Sequence, residues 1–536
     1  MEQAHNGINK RLVLTGLIIG MFFSAMEQTV VGTAMPTIIG DLNGFSIFAW
    51  VTTAYLITST TVVPIVGKLS DIYGRRKLYL IGNLIFIISS ALCGAAHTME
   101  QLIIFRALQG IGGGMIMPLS QTIIGDIFTA EQRAKWQGVF GGIYGLSSII
   151  GPFIGGVLVD NISWHWIFLI NVPFGLFSTM LIVLGLKNEI IAGQGKGKID
   201  VWGIVSFVPA LVLLLLGLTF VGDKFEWQSM TSLLVFGGAV ILLVLFGLIE
   251  RKAEDPILDL RFFKNRIFAT TNLLGFLLGL GMFGAIMFVP MFMQGILGVS
   301  PTKAGSTMTP MMIALIVASI IGGRLLLKFR FRTVLTLGMI IASAGFYLMS
   351  TMGMDSSEFT AYLYMVVLGF GMGLVMPTLM IAIQNEYPKH QLGQVTSAST
   401  FFRSIGGTIG ITILNTVMNH SIDNKMQDAI SAESDPVMLK VLKQIGEQAD
   451  TMFGILLKPE AMPLPEPIRR NVVTTLAEVW SSSFSTVFLC GLIFIALGIL
   501  VALSVGSSKI KRDKEQDSAG LQNDAPAEKA SVLQPE

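Results

Sequence analysis

Charge is what this sequence has least of. Asp, Glu, Lys and Arg make up 13% of its 536 residues, about half the share found in a soluble globular chain. Hydrophobic residues make up 52%. This balance excludes a soluble globular fold and a chain with one anchor, and implies a polytopic membrane protein embedded in the bilayer. The net charge of +2 says nothing for nucleic acid, because the basic residues are segregated by loop, and no nucleic-acid partner is expected. Cysteine is also scarce. Cys93 and Cys490 both fall in apolar runs, where they read as small hydrophobes and not as a disulfide or metal pair. The five histidines are scattered without metal-ligand spacing. The chain lacks a G-x-x-x-x-G-K-[ST] phosphate loop, and no nucleophile–base arrangement stands out. An enzyme is not expected, nor a cofactor.

Long apolar runs are what the sequence has in quantity. A spanning helix needs about 20 mostly apolar residues. Such runs fall at 13–36, 47–66, 78–98, 100–123, 136–158, 165–186, 201–221, 231–250, 267–293, 304–326, 333–352, 359–384, 393–418 and 480–505. The predicted class is therefore an all-α polytopic membrane protein with about fourteen transmembrane helices. The first run follows Lys10-Arg11 and continues to Pro36, too long for a signal peptide, and reads as an uncleaved first membrane helix.

Lys and Arg set the orientation. With the N-terminus inside, the cytoplasmic segments hold Lys68, Arg75, Arg76 and Lys77, then Arg133 and Lys135, then Lys187, Lys196 and Lys198. Later ones hold Arg251, Lys252, Arg261, Lys264 and Arg266, then Lys328, Arg330 and Arg332. Short external loops hold only Lys224 and Lys303. Both termini are thus expected in the cytoplasm. Residues 419–473 form a long external segment exempt from the charge rule. Apolar residues at helical spacing in it, such as Val437, Val441 and Ile445, predict a helix or helical hairpin. It is either a plain connector or a lid over an external vestibule. The polar tail 506–536 reads as disordered.

Two distant stretches read alike. LQGIGGGMIMP ends at Pro118 and LGFGMGLVMP at Pro377, an offset of 259, and each precedes a carboxylate, Asp126 or Glu386. GKLSDIYGRR at 67–76 has a weaker echo in GRLLLKFRFR, offset by 256. Parallel repeats imply two helix bundles related by an axis along the membrane normal, with a central site between them. Chance likeness of glycine-rich helices is the rival, and the shared offset weighs against it. The expected division is a six-helix bundle over 1–186, two inserted helices with their linkers over 187–266, and a second six-helix bundle over 267–505.

Several short patterns carry chemistry. In GKLSDIYGRRK, Gly67 and Gly74 permit a tight turn, Asp71 can accept hydrogen bonds at a helix end, and Arg75 and Arg76 can pair with a carboxylate such as Asp126. RALQGIGGG places Arg106 and Gln109 inside the fourth span. GLSSIIGPFIGG holds Gly151, Pro152, Gly155 and Gly156, a pattern for a helix that kinks and lets a neighbour approach closely. WHWIFLINVPFG opens the sixth span with interfacial tryptophans.

Together these patterns resemble the major facilitator superfamily, and within it the fourteen-helix drug:proton antiporters, over nearly the whole chain. The 67–77 loop is similar to the superfamily signature. Arg106 with Gln109, Gly110, Gly112 and Gly113 resembles the fourth-span pattern associated with proton coupling. Gly151, Pro152, Gly155 and Gly156 resemble the antiporter pattern that separates exporters from importers. MEQTVVGTAMP resembles the first-span pattern of the fourteen-helix branch, with Glu27 where Asp is usual, and His165 stands where many relatives have Arg. The resemblance implies the major facilitator fold, working as a monomer, and proton-driven export of lipophilic, often cationic drugs across the cytoplasmic membrane. A dedicated metabolite or lipid exporter on the same fold stays open, as does a receptor or scaffold that does not transport.

Glu27 is the residue that demands a role, since a charge at mid-span costs roughly 2.5–3.5 kcal/mol on insertion scales. At 1.5 Å per residue, Glu27 lies about 13 Å and Arg106 about 9 Å from the outer helix ends. In the resembled fold, spans one and four both line the central cavity, so the two charges can meet. The pair is either a shared proton and substrate site or a packing device. Arg403 in FFRSIGGTIG is a second intramembrane charge, with a cavity role or a packing role. Asp126 and Glu386 read as gate latches on loop arginines. Phe23, Met26, Tyr55 and Tyr144 are candidates for the cavity wall near the acid.

Overall fold

The computed structural model describes residues 8–42, 47, 49–186, 198–221, 226–299, 303, 308–445, 449–457, 459–462, 464–506 and 508–509. Most of the linker at 187–197 and most of the tail at 506–536 lie outside the described residues. So do the side chains of Tyr144 and Pro152. Within a bilayer every backbone N–H and C=O must be satisfied internally, which favours continuous helices. Helices account for nearly all of the described chain.

The order is α1 (Lys10–Leu42), α2 (Ala49–Tyr73), α3 (Arg75–Cys93), α4 (Met99–Ile127), α5 (Ala130–Asn161), the one-turn α6 (Trp166–Leu169) and α7 (Asn171–Gly185). Then come α8 (Val201–Phe220), α9 (Met230–Glu250), α10 (Arg266–Gly295), α11 (Met308–Leu326), α12 (Phe331–Ser350), α13 (Glu358–Glu386) and α14 (Leu392–Ala432). Two short helices, α15 (Pro436–Ile445) and α16 (Ala449–Leu457), precede α17 (Glu466–Ser504). Many starts are set by side-chain caps on the first free N–H groups. Thr98 caps α4 through Gln101 N at 3.3 Å, Asp200 caps α8 through Gly203 N at 2.8 Å, and Asn265 caps α10 through Ile267 N at 2.8 Å.

Twelve helices among the described residues are long and apolar enough to cross a membrane. The long α5 and α14, with 32 and 41 residues, are richer in polar side chains and bring the count to about fourteen. Their polarity follows from their place. α5 packs on α11 and α14 packs on α2, so both lie along the seam between α1–α7 and α10–α17. α8 and α9 pack on each other, and α8 also touches α2 and α14 beside that seam. Their outer faces stay apolar, with Trp202, Leu233 and Ile241 exposed, as a lipid-facing surface requires.

The repeat is visible in the packing. The backbone at Gly112 lies so close to α3 that a Cβ would meet Phe86 N and Gly82 O. At Gly371 the same atom would meet Ala342 N and Gly338 O of α12. The same match relates Gly110 and Gly114, set against Tyr55 and Ser59 of α2, to Gly369 and Gly373, set against Met311 and Leu315 of α11. Every glycine of these pairs is offset by 259 residues and every partner by 256. The three extra residues therefore lie between the third and fourth helices of the second unit.

Residues 419–473 are helical over most of their described length. α14 continues to Ala432, and α17 begins at Glu466. α15 and α16 bury Met438, Leu442, Met452 and Leu456 against α10, α14 and α17. Phe453 sits over Gly295, and its ring lies tilted against Trp480 with centroids 4.7 Å apart.

Candidate functional site

Glu27 is completely buried, and three helices converge on it. Arg106 of α4 donates from Nη1 to Glu27 Oε1 at 2.8 Å. Asn171, the first residue of α7, donates from Nδ2 to the other carboxylate oxygen. Both oxygens thus have a donor. Arg106 has further partners: Nη1 reaches Gln109 Oε1 at 2.6 Å, and Nε reaches the Val51 carbonyl at 3.2 Å. Its guanidinium lies 4.3 Å from the centre of the Tyr55 ring and 5.9 Å from that of Phe168. Gln109 is fixed in turn by donating Nε2 to Ser90 Oγ at 2.7 Å. Glu27, Arg106, Gln109, Asn171, Ser90 and Tyr55 are all buried.

This arrangement decides what the pair can do. A buried ion pair that loses one partner commonly costs 3–5 kcal/mol, because the other charge is stranded. Arg106 is not stranded here when Glu27 is neutral. It keeps a carboxamide oxygen, a backbone carbonyl and an aromatic face, all uncharged acceptors of a cation.

Sequence reasoning missed Asn171 and Ser90. Asn171 stands in the WHWIFLINVPFG stretch, and the signal for it was an asparagine deep in an apolar run. It lies where the sixth span is broken into α6 and α7, which aims its side chain at α1.

A cavity of about 90 Å³ lies beside this network. Its wall is formed by Met21, Ser24, Ala25 and Gln28 of α1, Tyr55, Ser59, Thr60 and Val63 of α2, and Gly113, Gly114, Met117 and Pro118 of α4. Ile143 of α5 and Thr400 and Ser404 of α14 complete it, so it is shared across the seam. Among the described residues the wall carries hydroxyls, one carboxamide, thioethers and apolar groups, but no charge. Glu27 and Arg106 lie behind it, and Tyr55 belongs to both wall and network. Of the other wall candidates, Phe23 points away and stacks at 4.2 Å on Phe174 of α7. Met26 faces α5 at Gly151, whose missing Cβ also leaves room for Thr29. Tyr144 lies outside the described side chains. Arg403 is half-buried on α14, and its carbonyl abuts Gly279 of α10.

The antiporter-like stretch divides. α5 runs as continuous helix through Pro152. Gly151 is a close-approach site against α1, and Gly155 is buried. Gly156 has nothing within 4 Å, so the close approach expected there does not occur.

A second cluster lies at the basic end of the bundle. Gly74 breaks the chain between α2 and α3 with φ of 97°, a conformation that only glycine adopts without strain. The turn sends Arg75 inward, fully buried, where it pairs with Asp71 and with Asp126 Oδ2 at 3.1 Å. It also donates to Ser70 Oγ at 3.1 Å and to the Lys389 carbonyl at 3.1 Å. Asp71 accepts the N–H groups of Gly393 at 3.0 Å and Gln394 at 2.8 Å, which are the first free amides of α14. Gly67 lies against Gly393 O and Ser397, so the two helices meet backbone to backbone. Arg76 is half-buried beside Arg75. Asp126 falls in register with Asn385 at the repeat offset, not with Glu386, which is half-buried at the end of α13.

The linker after α9 joins this cluster. Gln394 Nε2 donates to the carbonyls of Pro256 at 3.0 Å and Ile257 at 2.7 Å, while Glu250 Oε1 accepts Ile257 N at 3.2 Å. Lys68 pairs with Asp255 at 3.5 Å. α8 and α9 are thereby tied to the helix that Asp71 caps.

A bundle of about fourteen long helices among the described residues, with a repeat in its packing and a buried charge network beside a cavity, defines a membrane transporter of the major facilitator type. The chain belongs to the Major Facilitator Superfamily, whose description it matches over residues 17–411. It is 46% identical over 516 residues to the multidrug transporter protein MdtP of Bacillus subtilis, covering 95% of each chain. It is 38% identical to multidrug resistance protein 3 of the same organism, covering 94% of this chain and 97% of that one. Its fold resembles the proton:xylose symporter XylE with a TM-score of 0.56 at 13% identity, covering 95% of this chain and 98% of that one.

Proposed function

We propose that this protein is a proton-coupled antiporter that exports lipophilic, often cationic compounds across the cytoplasmic membrane, with both termini in the cytoplasm. The observation that carries the reading is the fully buried Glu27, held by Arg106 and Asn171, in a network that keeps Arg106 solvated by neutral groups when Glu27 takes up a proton. Substrate binding favours ionised Glu27, and a proton taken from outside favours release. Deprotonation to the cytoplasm resets the site. The basic end, assigned to the cytoplasm by the positive-inside rule, is closed by Arg75, Asp71 and Asp126 and must open for loading. The two named multidrug relatives support the substrate class. One proton entering across 100 mV supplies about 2.3 kcal/mol, enough to hold a gradient of about fifty-fold for an uncharged substrate. One-for-one exchange with a monovalent cation moves no net charge and is driven by the pH difference.

The test is proton movement in everted vesicles energised to an acid interior and followed with a pH-sensitive dye. Adding ethidium should dissipate the gradient in the wild type and not in Glu27→Gln. Equal responses would make the Glu27–Arg106 pair a packing device. No response to any cation, with a response to one uncharged metabolite or lipid, would replace this reading with a dedicated exporter, which the uncharged cavity wall also accommodates. No response to any compound would favour a receptor or scaffold.

A further inference from the structure

Glu27 has to compete with a cationic substrate, yet neither Glu27 nor Arg106 lines the cavity. Tyr55 belongs to both places. Its ring carries the Arg106 guanidinium at 4.3 Å from the centroid, and its side chain forms part of the cavity wall with Gly113 and Gly114 of α4. The sequence explains why it stands so close. A Cβ at Gly110 would meet the Tyr55 backbone, and one at Gly113 would meet the Tyr55 hydroxyl, so the glycines of α4 make the space in which this ring lies.

We propose that Tyr55 is the coupling residue of this transporter: a cation bound in the cavity against its ring and a proton on Glu27 exclude each other through the Tyr55–Arg106 contact. This rests on Glu27 being the proton site. With Glu27 ionised, its charge neutralises Arg106, and the electron-rich ring attracts a second cation from the cavity. With Glu27 protonated, the positive charge behind the ring is uncompensated. A cation across the ring would lie about 8 Å from the guanidinium, and at an effective dielectric near 20 that repulsion lowers affinity about thirty-fold. No direct contact between substrate and carboxylate is needed. The charged and titratable groups around the pair are Arg106 of α4 and Cys93 of α3 beside Glu27, and Tyr55 of α2 against Arg106, while α7 presents the neutral Asn171 to Glu27.

The second unit lacks the device. At the repeat offsets Tyr55, Glu27 and Arg106 correspond to Met311, Phe283 and Met365. Those residues belong to an apolar cluster. Coupling is thus assigned to the first unit alone.

The test is equilibrium binding to the purified full-length protein as a function of pH, with ethidium as the cation and an uncharged phenanthridine of the same ring system as control. Wild type should bind ethidium about thirty-fold more weakly at low pH and the uncharged ligand equally at all pH values. Tyr55→Phe keeps the ring and should keep both behaviours. Tyr55→Leu should lose most of the ethidium affinity gained at high pH, flattening the profile, with binding of the uncharged ligand little changed. A Tyr55→Leu protein with the full wild-type pH profile would overturn the proposal, as would an uncharged ligand as pH-sensitive as ethidium, a comparison that needs only the wild type. Glu27→Gln separates the two layers. If it keeps the wild-type profile, the proton site itself is misassigned; if it flattens the profile and Tyr55→Leu does not, only the role of Tyr55 fails.

Discussion

Asp71 at the end of α2 accepts the backbone N–H of Gln394 at 2.8 Å, across 323 residues of sequence. One carboxylate thereby caps a helix of the other unit while it pairs with the buried Arg75. Asp71→Asn keeps the shape and can still cap, but gives up the charge that both Arg75 and the helix N-terminus favour. A loss of about 1.4 kcal/mol would shift the closed and open populations of this end by about tenfold. Spin labels at the exposed Tyr73 and Lys389 should report a longer distance in Asp71→Asn than with Asp71 intact. An unchanged distribution would mean that the contact does not hold this end closed.

Gly74 tests the turn that aims Arg75. Its φ of 97° and ψ of 149° lie outside the left-handed helical region in which asparagine is tolerated. Gly74→Ala and Gly74→Asn should therefore be about equally costly, on the order of 1–3 kcal/mol, seen as a lower Tm of the purified protein. A clear advantage for Asn would contradict the turn geometry.

The repeat makes a paired prediction. Gly112→Val and Gly371→Val each drive a side chain into the backbone of a neighbouring helix, at Phe86 and at Ala342 respectively. Both should lower Tm or abolish folding, with costs of about 1–3 kcal/mol or more from overpacking. Gly156 faces open space, so Gly156→Ala should leave Tm level or raise it. A folded Gly156→Ala protein that transports normally fits a glycine with no packing role. One that binds substrate but fails to transport would show that a neighbour closes on Gly156 in another conformation.

Much of this was legible in sequence because the signals were periodic or costly. The spans follow from apolar runs, the repeat from a shared offset, and the pairing of Glu27 with Arg106 from two expensive charges at similar depth. What stayed hidden is neutral or remote. Asn171 and Ser90 are uncharged residues that complete the network without any pattern of their own. Asp71 reads as an acceptor at a helix end, and the helix it caps begins at Leu392, a pairing that tertiary packing alone creates. Of the candidates for the cavity wall, Tyr55 lines it, while helical spacing turns Phe23 and Met26 toward α7 and α5 and leaves Met21, Ser24 and Gln28 facing inward. The segment 419–473 reads correctly as helical over its described length, but nothing in its sequence says that α14 and α17 extend to carry it.

The central claim is that Glu27 exchanges a proton for the substrate, and the most direct measurement is proton release on binding. Purified protein in weakly buffered solution would be mixed with ethidium at a pH where Glu27 is partly protonated, and the pH followed. The account predicts that the wild type releases protons in proportion to substrate bound and that Glu27→Gln binds substrate without release. Equal release from both proteins would contradict it.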